Sequence, residues 1–335
     1  MKVLVTGAAG FIGHQVSHQL LRRGHTVLGL DNLSPYYDTN LKRARLATFA
    51  DREGFVFLEQ DLADVATVRQ LFATHRPDAV IHLAAQAGVR YSLDDPGAYI
   101  QSNLVGFSGI LEGCRQFPVS HLVYASSSSV YGLNTKLPFA ETDRADHPAS
   151  LYAATKRSNE LMAHAYSHLF RIPVTGLRFF TVYGPWGRPD MAPFIFTQAI
   201  IEGTPIRIFN NGKMRRDFTY IDDIVDGVCA ILTHVPEPSA HWAADSPLPD
   251  ISSAPFRLYN IGNNQSVPLE TFISVLEEAL GKKAVREYLP MQPGDVAATY
   301  ARIESLREAV GFCPKTPVEE GVPRFVAWYR KYYGV

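Results

Sequence analysis

The chain reads as an α/β protein of the Rossmann type, a doubly wound parallel sheet with a smaller, interleaved C-terminal substrate lobe. Three observations predict this. Apolar runs of strand length alternate with helix-length segments through the first half. A glycine-rich turn joins the first of these runs to the first helical segment. After about residue 180 the alternation loosens, and proline and glycine become frequent.

Residues 2–6, 26–30, 55–59, 79–83, 121–126 and 174–178 are the apolar runs, read as buried strands. Between them, residues 11–22, 41–50, 65–74, 97–117 and 151–170 are helix candidates. Strands and helices in alternation imply a parallel sheet covered on both faces. Later in the chain, residues 206–209, 217–220 and 257–261 read as short strands, and residues 221–233, 269–280 and 318–332 as helices. Residues 235–255 are rich in Pro, Ser and Ala and read as a surface loop. The expected organisation is a dinucleotide-binding domain over residues 1–180, to which some later segments return, and a second lobe over residues 181–335.

Composition narrows the function. The 335 residues are 46% hydrophobic, ordinary for a globular protein with a sizeable core. A net charge of −1 gives no basic footprint, so nucleic acid is not expected as a partner. Cys114, Cys229 and Cys313 are widely spaced and odd in number, which fits neither a disulfide framework nor a cysteine metal site and suits a reducing cytosol. The N-terminus runs straight into a strand with no signal-peptide pattern, and no apolar run approaches the roughly 18 residues of a membrane span. The expectation is a soluble cytoplasmic protein with no metal.

The glycine turn is Gly7-Ala8-Ala9-Gly10-Phe11-Ile12-Gly13. Glycine allows the tight turn, lets backbone N–H groups approach a pyrophosphate and permits close helix–strand packing, while the helix N-terminus supplies positive potential. Gly7, Gly10, Phe11, Ile12 and Gly13 are therefore expected around a dinucleotide. The second strand ends in Asp31-Asn32. An acidic group there can bind both adenosine ribose hydroxyls and would repel a 2′-phosphate, favouring NAD over NADP; a turn or cap role is the alternative for Asp31. Asp61 and Leu62, after the third strand, are placed to hold the adenine edge, and Asp61 also to cap the next helix.

Tyr152 and Lys156 are one helical turn apart. A tyrosine alone, with a pKa of about 10, is a poor base at neutral pH. The Lys156 charge, added to that of an oxidised nicotinamide, would favour the phenolate. Upstream, Ser126-Ser127-Ser128-Ser129 follows an apolar strand, so its hydroxyls stand at the strand's C-terminal end, where open α/β sheets bind ligands.

With these three motifs in order, the whole chain resembles the extended short-chain dehydrogenase/reductase family. The resemblance implies a Ser–Tyr–Lys triad, and the spacing used by the sugar-nucleotide epimerases of that family selects Ser127. Ser127 would hydrogen-bond the reacting oxygen, Tyr152 exchange its proton, and Lys156 bind the nicotinamide ribose and tune Tyr152. The residues 82–85 (with Leu83, Ala84 and Ala85), Asn103 and residues 179–182 (with Val182) fall where such enzymes line the cofactor. A homodimer through the helices near residues 97–117 and 151–170 is implied in the same way.

The substrate is read from what replaces acids. Family members that dehydrate nucleotide sugars carry Asp-Glu at the positions of Ser128 and Ser129, and decarboxylases carry Glu at Ser129. Acids there would repel a substrate carboxylate; serines do not. Thr181 stands where glucose-type epimerases have Asn, and Arg188 adds a cation for a carboxylate or phosphate. The stretch from 178 to 191 is similar to that of UDP-glucuronate 4-epimerases. Arg216, with Arg215 beside it, falls in the segment that holds the nucleotide diphosphate, and Asp295 in a late segment, Met291-Gln292-Pro293-Gly294-Asp295-Val296, that binds the uridine ribose. Gln292 replaces an arginine of glucose-type relatives, shifting phosphate binding to Arg188 and Arg216. Asp222 and Asp223 are read as capping the following helix.

The resemblance thus implies interconversion of UDP-glucuronate and UDP-galacturonate through a 4-keto intermediate with tightly held NAD. A 4-epimerase of UDP-glucose or its N-acetyl relative, a decarboxylase or dehydratase, and a non-catalytic NAD-binding regulator remain the alternatives.

Overall fold

The computed structural model describes residues 1–292 and 294–335, so Pro293 of the late segment lies outside the described residues. Among the described residues, twelve strands follow one another along the chain. They are β1 (Lys2–Thr6), β2 (Thr26–Asp31), β3 (Phe55–Glu59), β4 (Ala79–His82), β5 (Leu122–Ser127) and β6 (Val174–Phe179), then β7 (Thr181–Tyr183), β8 (Pro205–Ile208), β9 (Arg215–Tyr220), β10 (Phe256–Ile261), β11 (Ser266–Pro268) and β12 (Val285–Tyr288). Seven of them form one sheet in the order β10-β6-β5-β4-β1-β2-β3. Every pairing in it is parallel. Read from β3, the order 3-2-1-4-5-6 is that of a doubly wound fold, and its reversal falls between β1 and β4, where such sheets bind ligands.

Period-two alternation explains the two cores. Val3 and Val5 of β1 face one cluster while Leu4 faces the other; in β4, Ala79 and Ile81 oppose Val80. On one face pack Phe11, Val16 and Leu20 of helix Phe11–Arg22, with helix Ile221–Ile231 against it; the same core continues into the second lobe, where helices Leu269–Leu280 and Val318–Tyr333 pack on each other. On the other pack Val68 and Phe72 of Val65–His75, and Phe107, Ile110 and Leu111 of Gly106–Gln116. Both faces are buried, which is why the strands read as continuous apolar runs.

The later segments are interleaved as expected. β10 returns to the edge of the main sheet against β6, whereas β7, β9 and β11 form a three-stranded sheet and β8 pairs with β12. The expected strand at residues 206–209 is found one residue earlier.

Several expectations are corrected. The single helix over residues 97–117 is three pieces: Pro96–Tyr99, a π-helical stretch Ile100–Val105, and Gly106–Gln116. Helices Ala192–Glu202 and Glu304–Val310 and strands β7, β11 and β12 were not expected. The loop over residues 235–255 is exposed only in its first part; Asp250, Ile251, Ser252 and Ala254 are buried, and Asp250 O accepts from Leu258 N. Asp61 does not cap helix Val65–His75; Asp64 does, accepting from Thr67 N at 3.1 Å. Asp222 and Asp223 lie in the first turn of helix Ile221–Ile231 without a capping bond, and Asp223 instead accepts from Lys315 N and Thr316 N, tying down that loop.

Candidate active site

The C-terminal ends of β1, β2, β4 and β5 open into a cavity of about 1050 Å³, at the upper end of ligand pockets and continuous into the second lobe. Every cofactor, catalytic and substrate residue assigned from the sequence lines it, except Asn103.

The glycine turn builds one end. Gly7 has φ +72°, and a Cβ on it would stand 2.8 Å from Ala84 N; a Cβ on Gly13 would stand 2.1 Å from Gly7 O. Glycine is therefore required at both positions. Helix Phe11–Arg22 starts at Gly10 with no side-chain cap, so its first N–H groups point at the cavity as a ready anion site. This cradle fits a dinucleotide pyrophosphate.

Asp31, at the end of β2, accepts from Ala9 N at 3.2 Å and Leu33 N at 2.9 Å and is almost fully buried. Burial pushes its carboxyl up, opposed first by Lys42, whose Nζ is 4.0 Å away. A pair of ribose hydroxyls would supply the donors this carboxylate lacks. Asn32 donates to Asp61 at 2.9 Å, linking the ends of β2 and β3 into one wall, with Leu62 beside them.

The middle holds the chemistry. Ser150 caps helix Leu151–Phe170, accepting from Ala153 N at 3.1 Å, and this helix carries Tyr152 and Lys156. β5 ends at Ser127, whose Oγ accepts from Ser129 N at 3.2 Å, and Ser128 and Ser129 open the short 3-10 turn that follows. Ser126 is different: it donates at 2.6 Å to Glu160, which is buried in a two-pronged pair with Arg178 at 2.8 and 2.9 Å. Removing one member of a buried pair costs about 3–5 kcal/mol, so this pair clamps β5, β6 and the tyrosine helix together.

Burial pushes the Tyr152 hydroxyl above its ordinary value, with Ser127 and Arg188 pulling the other way. Lys156 is buried too, which brings its ammonium down to about 8, and it donates to Ala125 O at 2.9 Å. The expected lowering of the tyrosine belongs to Lys156 together with an oxidised nicotinamide; in the protein alone, burial dominates. The Lys156 charge is held on the β5 carbonyl, from which a ribose hydroxyl could share it.

Asn103 is placed elsewhere. It sits in the π-helical stretch, buried, donating to Gln86 O at 3.0 Å and Thr155 Oγ1 at 3.0 Å and accepting from Gln86 N at 2.8 Å. It positions Gln86, which does line the cavity, rather than lining it itself.

In the second lobe, Thr181 and Val182 come from β7 and Arg188 from the loop after it. Arg188 is paired with Asp190, its Nε 3.0 Å from Oδ1. Asp295 pairs with Arg90 at 3.0 Å, and Gln292 lies nearby in the lining. Arg216 contacts only the carbonyls of Arg215 and Ala297, and among the described residues no carboxylate comes within ion-pair distance of it.

Sequence reasoning missed Tyr36, Lys42, Arg45, Arg90 and Asp190. Arg45 is wholly buried and joins Ala9 O of the glycine turn, at 2.9 Å, to Trp186 O at 2.7 Å and Gly187 O at 3.1 Å, just before Arg188. The signal was present: Tyr36-Tyr37 to Arg45 follows the ligand-binding end of the second strand.

A profile of the NAD dependent epimerase/dehydratase family matches residues 3–243. The chain belongs to that family. It is 50% identical over 335 residues to a protein of Rhizobium meliloti described as a probable UDP-glucuronate 4-epimerase, covering 99% of this chain and 98% of that one. UDP-glucuronate 4-epimerase 2 of Arabidopsis thaliana is 49% identical, with coverage of 99% and 76%. Among solved structures, UDP-glucuronic acid 4-epimerase from Bacillus cereus, in complex with UDP-glucuronic acid and NAD, superposes with a TM-score of 0.88 at 32% identity, covering 99% of this chain and 100% of that one. No helix among the described residues is long and apolar enough to cross a membrane.

Proposed function

We propose that the protein is a UDP-glucuronate 4-epimerase, interconverting UDP-glucuronate and UDP-galacturonate with NAD held at the glycine turn. The observation that carries this reading is the hydroxyl-rich wall around Tyr152. Ser127, Ser128, Ser129 and Thr181 line the same cavity as Tyr152, Arg188 lines it too, and no acid stands at the end of β5. The similarity to UDP-glucuronate epimerases supports the same substrate.

We read the residue roles as follows. Gly7, Gly10, Phe11, Ile12 and Gly13 hold the pyrophosphate, Asp31 the adenosine ribose, and Asn32, Asp61 and Leu62 the adenine side. Leu83, Ala84, Ala85 and Val182 pack against the rest of the dinucleotide. Bound there, NAD supplies the acceptor and later the donor of the C4 hydride. Tyr152 takes the C4 hydroxyl proton and returns it, Ser127 hydrogen-bonds that oxygen, and Lys156 holds its positive charge beside both. The hydroxyls of Ser128, Ser129 and Thr181 bind the C6 carboxylate without neutralising it. A 4-keto uronate is a β-keto acid, and keeping charge localised on its carboxylate opposes loss of CO₂. Arg216 holds the diphosphate and Asp295 the uridine ribose. We read residues 1–180 as the NAD domain, rejoined by β10, and residues 181–335 as the nucleotide-sugar lobe.

Two assembly-level readings accompany this one. A homodimer would use helices Gly106–Gln116 and Leu151–Phe170; Leu161, Leu169 and Phe170 on the second are exposed apolar side chains in want of cover. Light scattering should give twice the chain mass, and Leu161→Lys should halve it. A cytoplasmic location suits the three free cysteines, one of them exposed.

The test is to incubate the purified protein, with no NAD added, with UDP-glucuronate and follow the sugar protons by NMR. Galacturonate signals should appear. Turnover of UDP-glucose but not of UDP-glucuronate would overturn the carboxylate reading.

A further inference from the structure

Arg45 is wholly buried, yet its partners belong to both lobes. It stands on helix Thr39–Ala47, which follows the ligand-binding end of β2. One arm of its guanidinium, Nη1, donates to Ala9 O of the glycine turn at 2.9 Å and to Tyr37 Oη at 2.8 Å. The other, Nη2, donates to Trp186 O at 2.7 Å and Gly187 O at 3.1 Å. Arginine is almost never buried so completely unless its donors are taken up. Here the rigid fork of the guanidinium joins two turns that are remote in sequence. Ala9, Trp186 and Gly187 contribute backbone carbonyls, so the side chain that ties them is that of Arg45.

The turn that receives Arg45 is strained. Gly184-Pro185-Trp186-Gly187 closes with Gly187 N on Gly184 O at 3.0 Å, and Trp186 has φ +66°. Proline in second place and a left-handed third residue mark a type II turn, which ordinarily takes glycine at that third place. A bulky side chain there persists only where the surrounding contacts over-determine it. Trp186 has such contacts on both sides. Its carbonyl meets Arg45, and its ring lies against His14 of helix Phe11–Arg22, with centroids 5.5 Å apart. Trp328 and Tyr332 of the last helix pack on the same ring, each at 5.3 Å. The turn leads directly into Arg188, and β7 before it carries Thr181 and Val182, all three lining the cavity. Arg45 and Trp186 thus fasten the second-lobe wall of the cavity to the glycine turn.

We propose that Arg45 is a positioning residue that retains the cofactor: with the Trp186 ring it latches the turn of residues 184–187 onto the glycine turn, so that NAD leaves only when the latch opens. This rests on the proposed function in seating NAD at the glycine turn, and not on which sugar is bound. An epimerase takes a hydride from its substrate and gives it back. Its cofactor is regenerated in place, and release between the two transfers would strand the 4-keto sugar. A tie between the lobes that holds whether or not a sugar is bound serves that need.

The experiment follows the loss of NAD from the purified, NAD-loaded protein into NAD-free buffer, well below the melting temperature, by measuring the nucleotide still bound at each time. The wild-type protein should lose it slowly. Arg45→Met keeps the length of the side chain but no donor, and should release NAD roughly 10–100-fold faster, the factor expected for lost charge-assisted hydrogen bonds. Arg45→Lys should be fast as well, since a single ammonium cannot span both turns. Trp186→Ala keeps the carbonyls and loses the ring, and should fall between wild type and Arg45→Met. If the Arg45 charge merely attracted the pyrophosphate, Arg45→Lys and Trp186→Ala would release NAD like wild type, and that result overturns the latch. A merely structural role would lower the melting temperature of the NAD-free protein and leave the release rate unchanged, which overturns it too. Should Arg45→Met not fold, Trp186→Ala alone decides. A wild-type protein that sheds NAD as fast as the variants, yet turns over UDP-glucuronate when NAD is added, overturns the inference and leaves the epimerase reading intact. A wild-type protein that binds no NAD overturns both.

Discussion

The Lys156 ammonium donates to Ala125 O at 2.9 Å, so the cation one helical turn from Tyr152 is anchored to β5. Its burial depresses it to about 8, against about 10.5 in an unfolded chain. The folded form therefore binds the proton less tightly, and stability rises as pH climbs from 8 toward 10.5. At pH 7 the buried charge costs about 3 kcal/mol. In the cofactor-free protein, Lys156→Met should be more stable than wild type at pH 7, and that excess should vanish near pH 10.5. Its turnover should fall by roughly 10²–10⁴-fold, as expected for a lost proton-transfer partner. Thermal melts across pH and initial rates check both.

Arg216 should matter to one ligand only. It lines the second-lobe part of the cavity, on β9, and bonds only the carbonyls of Arg215 and Ala297. Arg216→Ala removes charge-assisted bonds of about 1.5–3 kcal/mol, so KM for the nucleotide sugar should rise roughly 10–100-fold. The amount of NAD that co-purifies should be unchanged. Isothermal titration with UDP separates the two.

Asn103 is predicted to be a structural residue. Asn103→Leu leaves Gln86 N, Gln86 O and Thr155 Oγ1 short of a partner, which should cost roughly 2–4 kcal/mol of stability. Saturating NAD should still bind. A selective loss of NAD affinity without a drop in melting temperature would instead put Asn103 on the cofactor.

Most of the frame was legible because both-face burial writes itself as apolar runs and the glycine turn has a steric cause that a sequence displays. Gly7 and Gly13, Asp31 and the serines were singled out because strand ends locate ligands in such sheets, and Tyr152 and Lys156 because they stand one helical turn apart. What was not legible has equally physical reasons. Helix Ala192–Glu202 is apolar on most sides, so it has no periodicity to detect. The π-helical stretch Ile100–Val105 differs from an α-helix by one residue per turn, and the difference comes from packing. Asn103 falls in it, and its side chain turns inward for that reason. Arg45, Asp190 and Tyr36 act through partners some 140–150 positions away in sequence, and no local pattern announces such contacts.

His121 supplies a pH prediction remote from the site. It is fully buried between Thr175 Oγ1 at 2.9 Å and Leu232 O at 3.1 Å, and burial brings it down to about 4. Since the unfolded chain takes up this proton near pH 6.5, its contribution is intact above that pH and is lost as pH falls toward 4, by roughly 3 kcal/mol in total. His121→Asn has no such group. Its stability deficit against wild type, measured by urea unfolding, should shrink over that window.

The central claim is that the site oxidises and re-reduces C4 without releasing the hydride. UDP-glucuronate carrying deuterium at C4, incubated with the purified protein and no added NAD, tests it. The UDP-galacturonate formed should retain the label at C4, and Tyr152→Phe should form almost none. Loss of the deuterium to water, or turnover that needs NAD in proportion to product, would contradict the account.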